Sequence, residues 1–387
     1  MSERTVRYDA ARAEFLEAPA AIRKRPGMYI GSTSERGLHH LVFNVADRAV
    51  KETLEGRVGP IGITLTPDGG VRIADDGPGS PLRTEAGGAP GLEAQLTGME
   101  AGAGSVGRHS VALDSNGTWL CVTNALSSRL TVEVRREGTR WIQEYARGIA
   151  VTRPTAAGPA TGHGTSIAFV ADPEIFGTNE FSFTTLAERF RELAFLNRGL
   201  DITLTDERAP DRPRSERFRF PGGARDFVAF LDAQNRKPVH PEAISFQRED
   251  PRMAATSEVA LRWSGSLEEQ VLSYANSRPT YQGGTHVVGF SAGLSVAVNT
   301  YARERGLLTS ADPDLSAGQI GTGLTAVVSV KVDRPEFLGA TRAVLGNRAV
   351  RLCVEEAVRE HVSGWLETHP EQASTVIGRM VRGVARD

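Results

Sequence analysis

Residues 36–56, RGLHHLVFNVADRAVKETLEG, and residues 61–81, IGITLTPDGGVRIADDGPGSP, are the stretches on which the fold turns. In the first, Leu38, Leu41, Val42, Val45, Ala49 and Val50 recur close to a 3.6-residue period, and the run stops at Gly56. That spacing predicts an amphipathic helix with a glycine stop. In the second, two β-rich runs flank Asp68-Gly69-Gly70, a hairpin signal.

Residues 83–118 are rich in Gly, Ala and Ser with weak periodicity, which reads as a short helix inside a mobile loop. Strands are expected at 130–136, 139–145 and 165–171, a helix at 183–195 and a further strand near 201–205. The turn-rich stretch 207–223, ERAPDRPRSERFRFPGG, marks a domain boundary near residue 220. Beyond it, SEVALRWSG (257–265), TAVVSVKV (325–332) and a helical stretch from 343 to 386 suggest a smaller α+β domain. The expected division is therefore 1–220 and 221–387.

At 387 residues the chain exceeds what one hydrophobic core usually supports. The formal net charge of -2 gives no overall electrostatic reason for tight nucleic-acid binding, so strong DNA binding is not expected. Cys121 and Cys353 are the only cysteines, which argues against a disulfide framework and suits a reducing cytoplasm. The charged N-terminus has no apolar signal-peptide core, and no run is long enough to span a bilayer. A cytoplasmic protein without membrane contact is expected.

RKRPGMYIG (23–31) followed by GLHHLVF (37–43) resembles the opening of the ATPase region of the gyrase B and topoisomerase IV ATPase family. DDGPGSP (75–81) is similar to that family's adenine loop, and GGTHVVGF (283–290) and 325–332 to its second domain. The resemblance implies an α+β chain: a Bergerat-type α/β sandwich, then a transducer domain with a left-handed βαβ crossover. No acidic cleavage domain follows, so strand passage by this polypeptide alone is not expected.

Residue by residue, the resemblance puts Asn44 where the family carries its general-base Glu, and Arg48 where an Asn holds magnesium. Spacing i, i+4 keeps both on one helix face toward the pocket, with solvent as the alternative for Arg48. An amide cannot take the water's proton, and losing a positioned base costs roughly 10²–10⁴ in rate. A guanidinium offers a metal no acceptor. Asp75 matches the carboxylate that receives the adenine amino group and Thr165 the hydroxyl beside it, with Gly77 and Gly79 keeping the backbone small. Pro78 stands where an arginine usually packs over the purine, and Pro81 closes the loop.

The phosphate lid corresponds to residues 113–119, where only Gly117 survives and Trp119 is bulky where close backbone approach was needed. Residues 100–104, EAGAG, replace a lid segment that usually holds a lysine, and 340–342 reads Ala-Thr-Arg, with Arg342 in place of the transducer lysine. ATP turnover is therefore not expected. No cofactor is expected, and ATP and magnesium binding is put in question. Tyr8 matches the tyrosine of an arm that crosses between protomers in the family, which implies a homodimer.

The leading expectation is a degenerate gyrase B-like protein whose former nucleotide pocket binds another small molecule, as a drug-sequestering or gyrase-modulating binder. One alternative is a recruited enzyme of secondary metabolism, with Asp75, Arg48, His40 or Tyr29 acting on a non-nucleotide substrate. The other is a residual topoisomerase-type ATPase. His39, His40 and His286 read as structural, and Tyr29 as core or hinge.

Overall fold

The computed structural model describes residues 18–56, 59–83, 91–99, 120–178, 180–209, 211–233, 238–339 and 343–384. The apolar stripe read at 36–56 becomes the helix α3 (Glu35–Leu54), preceded by the short helices α1 (Ala18–Lys24) and α2 (Gly27–Ile30). All six periodic residues of that stripe are buried. Gly56 adopts φ 76 and donates its N–H to the Thr53 carbonyl (2.9 Å), so the glycine stop closes the helix.

The hairpin β1 (Ile61–Leu65) and β2 (Val71–Asp75) lies inside a nine-stranded sheet. The helices α4 (Leu92–Thr97) and α5 (Leu120–Ala125) come next, then β3 (Ser127–Arg136), β4 (Thr139–Ala146), β5 (Ile149–Ala150), β6 (Thr155–Pro159) and β7 (Gly164–Ala171). Helix α6 (Phe183–Leu196) leads to β8 (Ile202–Asp206) and β9 (Arg214–Phe218). The strand order is β5-β4-β3-β7-β2-β1-β8-β9, with β6 on β4, and only the β1/β8 pairing is parallel. Strands β2 and β7 alternate buried with half-buried or exposed residues, so one face is covered, and α3, α5 and α6 share a core with it.

The second half begins with α7 (Ala224–Ala233), β10 (Ile244–Asp250), β11 (Ala255–Trp263), β12 (Gln270–Ala275) and β13 (Arg278–Pro279). Helix α8 (Thr285–Glu304), α9 (Ala317–Gly321) and β14 (Leu324–Val332) follow. The pair β15 (Phe337–Leu338) and β16 (Val344–Leu345) and the helices α10 (Arg348–Thr368) and α11 (Pro370–Val384) complete it. Its sheet order is β10-β11-β14-β12-β13; β12 and β14 are parallel neighbours, and α8 makes the crossover between them. Helix α10 packs along α8, and a large apolar core lies between these helices and the sheet.

Two expectations are corrected. The stretch 207–223 is not all turn: it contains β9, the edge strand of the first sheet, of whose residues only Phe218 is buried. The stretch from 343 is not one helix either. It starts in β16 and breaks at His369-Pro370, because proline cannot continue the helix before it.

Helix α6 belongs to both halves. Its Phe195 stacks on Phe227 of α7 at 4.6 Å and on Phe220 at 3.7 Å. Arg198, just after it, donates to Glu258 of β11 from Nε (3.1 Å) and Nη2 (2.8 Å), and the same carboxylate accepts the Ala224 N–H at 2.9 Å. At its other end, Ser182 caps the helix and donates its own N–H to His39 Nε2 of α3 at 2.9 Å.

His39, His40 and His286 are all buried. Burial lowers the pKa of each; His286 is pushed down to about 4. His40 is also pushed to about 4, by burial first and then by Arg36 and His39. Unfolded, these groups bind protons near pH 6.5, whereas folded their protonation is shifted to lower pH, so the unfolded chain binds more protons in between. Stability is expected to be fully present above pH 6.5 and to fall as the pH drops toward 4, with each of His40 and His286 contributing on the order of 3 kcal/mol. Thermal unfolding followed across pH 7 to 4 reads this; a flat melting temperature in that window would contradict it.

Candidate functional site

Antiparallel register sets the site. Strand β2 ends at Asp75, whose cross-strand partner is Thr165 near the start of β7. Two glycines make this corner: a side chain at Gly164 (φ 142) would meet the Asp75 carbonyl oxygen at 2.2 Å, and one at Gly79 (φ 80) would meet the Arg135 carbonyl at 2.5 Å. Gly79 thus has a reason to be small within the fold, the close approach of β3.

The loop after β2 folds back on the pair. Asp75 Oδ1 accepts the Gly77 N–H at 3.0 Å, and Thr165 Oγ1 accepts the Ser80 N–H at 2.9 Å. Both groups expected to receive a ligand thus already hold loop amides.

Asp75 Oδ2 is also taken. Helix α3 sends Arg48 inward, not to solvent, and its Nη2 donates to this oxygen in a direct ion pair. The side chains are 8% and 1% exposed. Arg48 Nη1 donates to Ser80 Oγ (3.1 Å) and Glu52 Oε1 (3.4 Å), and the Ser80 hydroxyl donates to the same Glu52 oxygen at 3.3 Å. The guanidinium is a fixed cation answered by two carboxylates, one fully buried.

One turn before Arg48, Asn44 is buried, and its Oδ1 finds no hydrogen-bond partner among the described residues. His40 is buried a further turn back and, with its lowered pKa, is neutral near pH 7. Tyr29 packs half-buried against the first core. Pro78 is exposed and Pro81 half-buried. Gly117, Trp119, Arg342, Tyr8 and the segments 100–104 and 340–341 lie outside the described residues. Among the described residues, no group of three or more His, Cys, Asp or Glu side chains could hold a metal ion.

Beside the loop opens a cavity of roughly 390 Å³, with Ser80 and Pro81 on one wall and Val134, Arg136, Trp141 and Pro154 on the other. Sequence reading missed Glu52, Ser80 and this second wall. Glu52 carried a signal, since it stands four residues after Arg48 on one helix face. Strand residues Arg136 and Trp141 carried none, because only the β3/β4 pairing brings them to the loop.

Arg48 donates only, so at this position it cannot ligate a cation or accept a proton from water. With the Gly77 amide it gives each oxygen of Asp75 a donor, while its own buried Nε makes no hydrogen bond among the described residues.

A family model for DNA gyrase B matches residues 223–386. The novobiocin-resistant gyrase B of Streptomyces niveus is 43% identical over 394 residues, covering 98% of this chain and 58% of its own length. The gyrase B of Streptomyces coelicolor is 42% identical, covering 97% and 57%. Among solved structures, the 43K ATPase domain of Thermus thermophilus gyrase B, in complex with an aminocoumarin, superposes with a TM-score of 0.81 at 31% identity, covering 95% of each chain. The chain belongs to the gyrase B family. The gyrase B of Myxococcus xanthus is similar too, with a TM-score of 0.76 at 26% identity, covering 94% of this chain and 99% of that one. The chain spans just under three fifths of the length of its two Streptomyces relatives. The mixed α+β architecture is that of the gyrase B ATPase region. No helix among the described residues is long and apolar enough to cross a membrane.

Removing Arg48 alone would leave the Asp75 carboxylate buried without its countercharge. Arg48→Ala is expected to destabilise the fold by roughly 3–5 kcal/mol, read as a lower urea midpoint with an unchanged slope. Arg48→Met combined with Asp75→Asn removes both charges and is expected to be closer to the parent than Arg48→Ala. Equal stability of parent and Arg48→Ala would show that the pair does not hold the site together.

Proposed function

We propose that this chain is a gyrase B-like protein without ATP turnover, whose adenine seat is occupied by its own Arg48 and which acts as a non-catalytic binder of small molecules. The observation that carries this reading is the buried Arg48–Asp75 pair. An adenine amino group would have to displace a charged donor from the carboxylate, and a neutral N–H bond is weaker than a charge-assisted one. Asn44 adds a second obstacle, since it cannot serve as a general base. Magnesium does not fit either: Arg48 stands where the family's metal ligand would be and repels a cation.

Among the described residues, space beside the filled seat lies in the cavity between Ser80-Pro81 and Arg136-Trp141. The Thermus thermophilus relative is solved with an aminocoumarin, and a flat, oxygen-rich ligand of that class suits a wall of Trp141, Pro81 and a guanidinium. This favours drug sequestration over the enzyme reading, because Asp75 and Arg48 are engaged with each other. A role beside cellular gyrase and dimerisation in the manner of the family remain compatible with a drug-binding chain.

Calorimetry with ATP and magnesium, with phosphate release followed in the same sample, is expected to give neither heat of binding nor turnover. Adenosine is expected to raise the melting temperature of Arg48→Ala, where Asp75 is freed, and not that of the parent. Measurable phosphate release by the parent, lost in Asp75→Ala, overturns the proposal and restores the ATPase reading. For the outer cavity, an aminocoumarin is expected to quench tryptophan fluorescence saturably, with affinity about tenfold weaker in Trp141→Ala. An unchanged affinity in that variant would remove the cavity from the reading.

A further inference from the structure

A second cavity, larger than the one beside Ser80, lies elsewhere among the described residues. It measures roughly 710 Å³, within the usual size of small-molecule sites, and lies where α6 meets the second half of the chain. No residue of its wall belongs to the Asp75 site.

Three elements supply its floor. Phe195 comes from α6, Phe227 and Phe230 from α7, and Tyr274 from β12, while Tyr281, 88% exposed, stands at the mouth. Phe195, Phe227 and Tyr274 are buried and pack on one another, Phe195 and Phe227 parallel at 4.6 Å and Phe227 and Tyr274 6.1 Å apart, so the rings open to an occupant are the half-buried Phe230 and the exposed Tyr281. The wall already holds one cation on a ring, since the Arg191 guanidinium sits 5.4 Å from the centre of Phe230.

Charge in the wall is nearly all paired internally. Arg191 pairs with Glu216, and Arg189 pairs with Glu192, which also accepts the Tyr274 hydroxyl at 2.6 Å. Ser273 and Thr280 hydroxyls bond each other at 2.7 Å. Glu188, exposed on α6 and part of the wall, makes no hydrogen bond or ion pair among the described residues. Among the described residues, the cavity therefore combines aromatic rings with one carboxylate, Glu188, that has no charged partner. Aromatic faces attract cations through their quadrupole, and an unpaired carboxylate adds a Coulomb term of the same sign.

We propose that this junction cavity is a binding site for a small organic cation with a flat apolar body, its ring against the aromatic floor and its ammonium toward Glu188. The floor comes from both halves of the chain, so the occupant bridges them. Binding is expected to raise the melting temperature of the whole chain with ligand concentration.

The test uses three probes of like size: 2-phenylethylammonium, neutral 2-phenylethanol and anionic 3-phenylpropionate. Each is titrated into the full chain and into Glu188→Gln by ligand-observed NMR and calorimetry. Glu188 is exposed and makes no such contact among the described residues, so its variant is expected to fold and melt as the parent does. The proposal expects the cation to bind the parent about tenfold more tightly than the anion, and that preference to disappear in Glu188→Gln. Phe230→Ala, checked for folding by circular dichroism, is expected to weaken all three probes together. Equal affinities for the three probes, a cation preference untouched by Glu188→Gln, or no binding of the ammonium up to about 10 mM each overturns it.

Discussion

A carboxylate removed from water must be answered by donors, and the first half of this chain is arranged around one such demand at Asp75. The β2/β7 register places it beside Thr165, the return of the loop gives it the Gly77 amide, and α3 delivers the Arg48 guanidinium. Leaving either donor out costs more than the hydrogen bond itself, because the buried charge stays behind. Helix, hairpin and loop are thereby tied at one point, with Glu52 and Ser80 completing the ring of contacts.

Two devices then organise the rest. Gly79 and Gly164 let backbone segments approach where a side chain would collide, so the loop after β2 can lie against β3. Helix α6 carries the first core on one face and the start of the second on the other. It spans from the His39 bond at its cap to the Glu258 contacts just past its end. The two halves consequently share aromatic packing as well as a covalent connection.

Much of this was legible in the sequence where a period ran against a covered face. The stripe of α3, the hairpin and strands β3, β4 and β7 follow from apolar spacing, because burying one face forces that spacing. Strand β9 escaped because, as an edge strand with Arg, Ser and Glu facing outward, it has almost nothing to bury. The break at His369-Pro370 carried its own signal, a proline, which the long apolar periodicity around it obscured. At the site, helix register gave the direction of Arg48 but not its destination. Which acceptor a long guanidinium reaches depends on the distance between α3 and β2, a tertiary quantity that spacing along one chain does not contain.

The inward Arg48 also has a kinetic meaning. A nucleotide pocket empties and fills with the supply of its ligand, so its state reports on the cell. An arginine rooted on the wall of the pocket does neither: its local concentration is set by a few covalent bonds and does not change with metabolism. Any competitor must displace a tethered rival that never diffuses away.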